Sequence, residues 1–277
     1  MATHALSFDV EDWFQGFVHR GIRGWEQHGS REKQNIDRVL SLLDQFKTKA
    51  TFFVLGKLAK EQPEIVLSIS RAGHEIASHT YSHKPVPEHT PSSFREDLKR
   101  SIAILEDITG NSVVGYRAAS WSVRSDCLWA LEILAEERVL YDSSVFPTSL
   151  HSYGISSSPT YPHRLHFTSG QSILEFPAQV FSLAGLRVPS AGGFYFRALP
   201  FQLSLRALKQ SERSAHSGMV YLHPYDLDAQ VPRIKVPLAF RVIRYYNLAK
   251  TETRFRRLLS SFRFSPIKDL LRSITAS

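Results

Sequence analysis

The 277-residue chain is 43% apolar and 22% charged, an ordinary balance for a globular protein that can bury a sizeable core. That composition excludes collagen-like and disordered classes, and the one cysteine, Cys127, rules out an internal disulfide framework. The formal net charge of +8 is unevenly spread, because from Arg233 onward eleven Lys/Arg stand against only Glu252 and Asp269. Basicity is a property of the C-terminal stretch.

In chain order, Met1 to His4 enter strand-like sequence with neither a basic start nor an apolar signal core, and no apolar run approaches bilayer length. The expectation is a cytoplasmic protein. Ala5 to Val10 reads as a buried strand running into Glu11-Asp12-Trp13, and residues 16–29 as a rim loop or short helix. Ile36, Val39, Leu40, Leu42, Leu43 and Phe46 keep helical spacing. Ala50 to Leu55 is a second strand, Pro63 opens a helix carrying Ile65, Val66 and Ile69, and His74 to Ser78 is a third strand.

Thr90-Pro91 starts a helix with Phe94, Leu98, Ile102 and Leu105 on one side and Gly110 past its end. A strand at Val113 to Arg117, a helix at Asp126 to Glu137 and a strand at Val139 to Asp142 follow. Residues 149–189 break into Ser-, His- and Pro-rich loop with short strands. Pro200 opens a helix, Met219 to His223 is the last strand, and the end holds two short amphipathic helices. The alternation predicts a parallel α/β fold, open or closed into a barrel.

The polar residues suited to chemistry all follow strand ends: Asp9 and Glu11, His79 and His83, Arg117, Asp142, His223. In a barrel of parallel strands those ends converge on one face. His79 and His83 are four apart, which puts both imidazoles on one face if the chain turns helical there. Two imidazoles and one carboxylate hold a divalent metal and leave a position open. Asp9 and Glu11 are two apart on a strand end and point the same way, so one can ligate while the other takes a proton. Arg117 suits an ion pair with the base, and His223, tuned by Asp142, suits protonation of a leaving nitrogen.

These residues carry a resemblance. The chain resembles the polysaccharide deacetylases of carbohydrate esterase family four, and within them the branch found in exosortase-associated exopolysaccharide loci. The likeness is carried by Ser7–Trp13, Ala50–Gly56, His79–His83, Gly115–Ser120, Tyr141–Pro147 and Leu222–Pro224. For the branch it is carried by Glu175–Pro177, Gly192–Arg197 and Tyr245–Leu248. It implies a distorted, incomplete (β/α) barrel over a single domain, 1–277, with 233–277 a basic helical extension packed on it.

The implied activity is metal-dependent removal of N-acetyl groups from amino sugars of a polysaccharide or its precursor, the metal being Zn2+. Alternatives are an allantoinase-like hydrolase of small amides and a degenerate glycan-binding protein. By position, Asp9 is the base, His79 and His83 are ligands, Arg117 orients Asp9, a backbone N–H near Ser120 helps hold the oxyanion, and Asp142 pairs with His223, the acid. Val10 stands where the family has a second aspartate, so the ligand role moves to Glu11, with Asp12 as runner-up. Ala119 stands where proline is usual. The partner is an N-acetylated glycan and not nucleic acid. The basic stretch with Phe255, Leu258, Leu259 and Phe262 either rests on an anionic membrane or lipid-linked carrier, or closes one end of the barrel.

Overall fold

A computed structural model describes residues 2–18, 20–149 and 154–274. The expected sites at Met1 and residues 150–153, and the side chain of Arg272, lie outside the described residues. The elements are β1 (Thr3–Val10), α1 (Gln15–Val18), α2 (Glu32–Gln45), β2 (Thr51–Val54), α3 (Gly56–Glu61), α4 (Pro63–Arg71), β3 (Glu75–Ser78) and α5 (Pro91–Thr109). Then come β4 (Gly115–Tyr116), α6 (Trp129–Glu136), β5 (Tyr141–Asp142), β6 (His163–His166), β7 (Ser172–Glu175), β8 (Val180–Leu183) and β9 (Leu186–Pro189). The last are α7 (Gly193–Ala198), α8 (Phe201–Arg213), β10 (Met219–Leu222), α9 (Leu238–Tyr245), α10 (Thr251–Ser261), β11 (Arg263–Ser265) and α11 (Ile267–Ile274).

Nine strands form one sheet in the order β10-β1-β2-β3-β4-β5-β7-β6, with β11 paired to the start of β1. All pairs are parallel except β6 with β7. The expected incomplete barrel is what forms: an α/β half-barrel whose two edges, β10 and β6, do not meet.

Strand alternation sorts β1 between two environments. Leu6, Phe8 and Val10 pack with Ile36, Val39 and Leu43 of α2 in the outer core. Ala5 instead joins Phe53, Ala77, Tyr141 and Met219 in the barrel interior. By period two, Ser7, Asp9 and then Glu11 share the interior side of Ala5. The helix α5 is well delimited: Thr90 and Ser93 form a reciprocal capping box at its start, and Gly110 ends it with φ 66°.

The basic C-terminal stretch turns its apolar side inward. Phe255 and Leu258 are fully buried, Leu259 and Phe262 nearly so, and all four join the outer core. Truncating a buried leucine such as Leu258 to alanine costs about 2–5 kcal/mol. Arg254 donates to the carbonyls of Phe196, Arg197 and Leu199 at 2.7–3.0 Å, and Arg256 pairs with Glu252 at 2.8 Å. These side chains pack in the outer core against β1 and α2 rather than across an end of the barrel, and α10 presents no apolar face to a membrane. Among the described residues no helix is long and apolar enough to cross a bilayer.

Candidate active site

The strand ends converge as their order requires. Asp9 is the last residue but one of β1 and Glu11 follows the strand; both are buried, at 2% and 5% exposure. Glu11, His79 and His83 bring ligand atoms within 4.8 Å of one another. Asp12 turns away: its Oδ1 accepts from the N–H of Trp13 at 2.8 Å and of Arg31 at 3.3 Å, so it is spent at the start of α2.

The histidine loop departs from the expected helical turn. His79 continues the alternation of Glu75 and Ala77 on β3, but Thr80 and His83 adopt left-handed φ of 68° and 58°. An irregular loop, not a helix, brings the rings to a centroid separation of 5.3 Å. Asp97 of α5 holds it by accepting from the N–H of Tyr81 at 2.7 Å and of Ser82 at 3.1 Å. Thr80 Oγ1 accepts from the N–H of His83 at 2.8 Å. These backbone bonds offset the conformational cost of two non-glycine residues in that region.

The donor set suits a divalent cation. His79 Nδ1 lies 3.0 Å from the Arg117 carbonyl; a carbonyl only accepts, so Nδ1 carries the proton and Nε2 keeps its lone pair. Burial lowers the His79 pKa to about 4, which keeps the ring neutral. Glu11 is buried, and its Oε2 lies 2.6 Å from His83 Nε2. Burial alone would raise the Glu11 pKa, but His83, then His223 and His79, hold it well below the carboxylate range. Two imidazoles and an ionised carboxylate brought this close match a three-ligand site with open positions.

Beside this cluster, Arg117 is fully buried. Its guanidinium donates to Asp9 Oδ1 at 2.6 Å, Ser7 Oγ at 2.9 Å, and the Ser143 carbonyl and Oγ at 3.0 and 2.9 Å. It lies against the Phe53 and Trp121 rings at 3.9 and 4.3 Å. A planar fork with this many fixed acceptors holds one position, and so does the carboxylate it pairs with. Next to it Ser120 is in the left-handed region (φ 55°) and lines the cavity. No described residue accepts from its N–H.

His223 departs from expectation in its partner. Asp142 is fully buried, but it accepts from the N–H and Oγ of Ser144 at 2.9 and 2.6 Å and shares a side-chain hydrogen bond with Glu175. It reaches a structural cluster under β5, not His223. The carboxylate on His223 is Asp226, 3.1 Å from Nδ1 and accepting from the His223 N–H at 2.9 Å. Asp226 in turn accepts from Arg197 Nε at 3.0 Å. Arg197 also donates to the carbonyls of Tyr246 and Ile243, at 2.7 and 3.0 Å. Burial disfavours the charged His223 ring, but the Asp226 hydrogen bond and charge, then Glu11 and Asp9, outweigh it and raise its pKa.

Tyr225 completes the link. Its ring stacks on His223 at 4.7 Å, and its hydroxyl donates to Glu11 Oε1 at 3.2 Å. Asp226, Arg197 and Tyr225 were not expected from sequence. Only Asp226 had a local signal, an aspartate three residues after a His-Pro pair.

Asp9, Glu11, His79, His83, His223, Tyr225 and Asp226 line one cavity of about 510 Å3, also lined by Trp121, Tyr195, Tyr221 and Phe240. Gly192 lets Tyr221 lie there, since a Cβ at Gly192 would fall 1.9 Å from that ring.

Fold and site together define a deformed α/β half-barrel of the polysaccharide deacetylase type, with a Glu-His-His cluster at its strand ends. Residues 23–135 match the polysaccharide deacetylase family, and residues 143–272 match a domain of unknown function, DUF3473. The deacetylase match covers somewhat under half of the chain, so the chain is similar to that family over its first part. His79, His83 and Arg117 fall in the first match and Arg197, His223 and Asp226 in the second; Asp9 and Glu11 precede both.

Among curated relatives, a peptidoglycan-N-acetylglucosamine deacetylase of Bacillus cereus is 37% identical over 73 residues, 26% of each chain. A chitooligosaccharide deacetylase of Bradyrhizobium is 26% identical over 97 residues, 35% of this chain and 42% of that one. The chain thus spans well under two thirds of these relatives. A solved structure of a polysaccharide deacetylase from Mycobacterium smegmatis superposes with TM-score 0.67 at 24% identity, covering 99% of this chain and 90% of that one. A pseudoenzyme of the same esterase family from Bacillus anthracis superposes with TM-score 0.53 at 16% identity, covering 97% and 65%. At these identities the solved structures establish the fold, and activity has to be argued from the site.

Proposed function

We propose that the chain is a metal-dependent hydrolase that removes N-acetyl groups from amino sugars of a polysaccharide or its precursor. The observation that carries the reading is the facing arrangement in one cavity. Glu11, His79 and His83 lie between Asp9 paired with Arg117 on one side and His223 paired with Asp226 on the other. Glu11, His79 and His83 would hold the metal, a zinc-type divalent ion by its N2O donor set, and that ion would supply Lewis-acid polarisation of the acetyl carbonyl and of water.

The protein's own groups do the rest. Asp9, fixed by Arg117, accepts the proton of the attacking water as its oxygen bonds to the acetyl carbon. The free N–H of Ser120 donates to the charge developing on the acetyl oxygen. His223, held by Asp226 and charged by it, protonates the sugar nitrogen as the carbon–nitrogen bond breaks, releasing acetate and the free amine. Trp121, Tyr195 and Phe240 give the cavity flat apolar walls that suit pyranose faces. That lining and the relatives' substrates support a glycan over a small cyclic amide. Because base and ligands come from the first half and the acid from the second, we treat the chain as one functional domain.

The test is acetate release from N-acetylated chitooligosaccharides, with metal-loaded and chelated protein compared. Acetate release that chelation abolishes supports the reading. Oligosaccharide binding by calorimetry, without any acetate from the metal-loaded protein, would replace it with the degenerate glycan-binding one.

A further inference from the structure

Helix α9 has an outer stripe that is exposed among the described residues. Its inner side is engaged: Phe240 packs on Phe17 at 5.5 Å, Arg244 lies over the Tyr225 ring at 3.9 Å, and Tyr245 is buried. Leu238, Val242 and Tyr246, at i, i+4 and i+8, form the outer stripe with Ile243 beside it. They are exposed by 71%, 43%, 50% and 47%. Among the described residues these are four of the ten exposed large apolar side chains, gathered into nine positions. Scattered exposed apolar residues need no account, but a contiguous set does.

The charge around the stripe has one sign. Between Asp228 and Glu252 the chain has no acidic residue. Arg233, Lys235, Arg241 and Lys250 are exposed there, and Arg20 reaches the same neighbourhood over the Phe240 ring at 4.9 Å. Apolar side chains flanked by cations, with no anions, match a surface that presents negative headgroups over a hydrocarbon layer. A second copy of the chain fits poorly, because a two-fold contact through α9 would set these cations against themselves.

We propose that α9 docks the protein on an anionic lipid surface. Ile243 and Phe240 of the same helix line the cavity, so docking turns the cavity mouth towards that surface. The inference does not depend on the reaction proposed for the cavity. It also differs from the basic side of α10, whose apolar residues are buried.

The experiment is flotation with vesicles of phosphatidylcholine alone and of equimolar phosphatidylcholine and phosphatidylglycerol, at low and moderate salt. The protein should float with the anionic vesicles at low salt, less at moderate salt, and not with phosphatidylcholine alone. Leu238→Ser/Val242→Ser should lower partition about tenfold or more by removing inserted apolar area. Lys235→Gln/Arg241→Gln should weaken binding and flatten its salt dependence; it serves as the deciding variant if the serine pair fails to fold. Neither pair lines the cavity, so acetate release from a soluble oligosaccharide should stay at the wild-type level. No flotation with anionic vesicles at low salt would overturn the proposal, as would undiminished flotation of folded variants. A dimer in light scattering that the serine pair dissociates would replace lipid with a second copy. Flotation without hydrolysis would count against the proposed reaction and leave the docking surface standing.

Discussion

Replacing Asp226 with asparagine separates the carboxylate that holds His223 in the structure from the one its sequence position suggested. The side chain is fully buried and bridges two cations, Arg197 at 3.0 Å and His223 at 3.1 Å. Burial would raise the Asp226 pKa, but the Arg197 charge and then His223 hold it well below the usual carboxylate range. Asp226→Asn keeps the shape and strips the charge, leaving the guanidinium of Arg197 buried without its anion. Removing one member of a buried pair costs about 3–5 kcal/mol, a large share of the roughly 5–15 kcal/mol of a typical domain. Part of this should return in Arg197→Met/Asp226→Asn, where no charge is stranded.

The effect on turnover is distinct from that on stability. Without Asp226 the His223 ring loses both its anchor and the charge that raises its pKa, so at neutral pH it is less often the acid. Asp226→Asn should lower kcat about a hundredfold or more and move the alkaline limb of the pH profile downward. KM should change little. Asp142→Asn should leave kcat near wild type in the folded protein, because Asp142 bonds Ser144 and not the catalytic ring. Urea melts and steady-state acetate release measure the two effects. If folded Asp226→Asn is fully active while Asp142→Asn is dead with its pH profile shifted, the geometry around His223 has been misread.

Three further outcomes follow from the same coordinates. Glu11→Gln should lose bound metal as thoroughly as His79→Ala, and Asp12→Asn should keep most of it, by elemental analysis; equal loss in both would show that Asp12 shares the ligand role. Asp9→Asn should keep its metal and lose turnover by about two to four orders of magnitude, and retention of activity would remove Asp9 as the base. His4 is fully inside the fold and burial lowers its pKa to about 4, so between pH 6.5 and 4 the unfolded chain binds a proton that the fold refuses. Its presence makes stability fall on acidification through that window, and His4→Asn, which keeps an acceptor for the Gly218 N–H, should make the slope shallower by up to about 1.4 kcal/mol per pH unit. Identical slopes in urea melts would refute it.

Much of the site was legible because period two is a local rule. Ser7, Asp9 and Glu11 share a side of β1 whatever the rest of the chain does, and Glu75, Ala77 and His79 do the same on β3. What the sequence leaves open depends on long-range closure. The turn after His79 is shaped by Asp97, which arrives on α5 from the following helix, so no local spacing reveals its left-handed residues. Arg197 meets Asp226 across 29 positions, through α8 and β10, and nothing within either segment announces it. Helix α9 is only eight residues long and preceded by Pro232 and Pro237, too short for its periodicity to stand out. Asp142 lies at a strand end as the cavity residues do, but β5 contributes only two residues to the sheet and its carboxylate turns to Ser144 rather than to the cavity.

Glu11 is where the two halves of the chain become one site. Its Oε2 faces His83, delivered by β3, while its Oε1 accepts from Tyr225 and lies 3.5 Å from His223, both delivered by β10. The segment matching the deacetylase family contains the two histidines and Arg117 but neither carboxylate nor the acid. The segment of unknown function contains the acid and its anchor but no ligand. In the proposed reaction neither segment alone could abstract a proton at one face of the amide and return one at the other. The second segment would then do more than cover the barrel: Asp226 and Arg197 would fix the charge of His223, and Tyr225 would register that ring against Glu11. Tyr225→Phe tests the registration directly. It removes one hydroxyl, worth about 1–3 kcal/mol as a hydrogen bond to a charged group, and should loosen metal binding and lower kcat together while leaving Asp226 in place. A variant that changed neither would mean that the halves meet without cooperating.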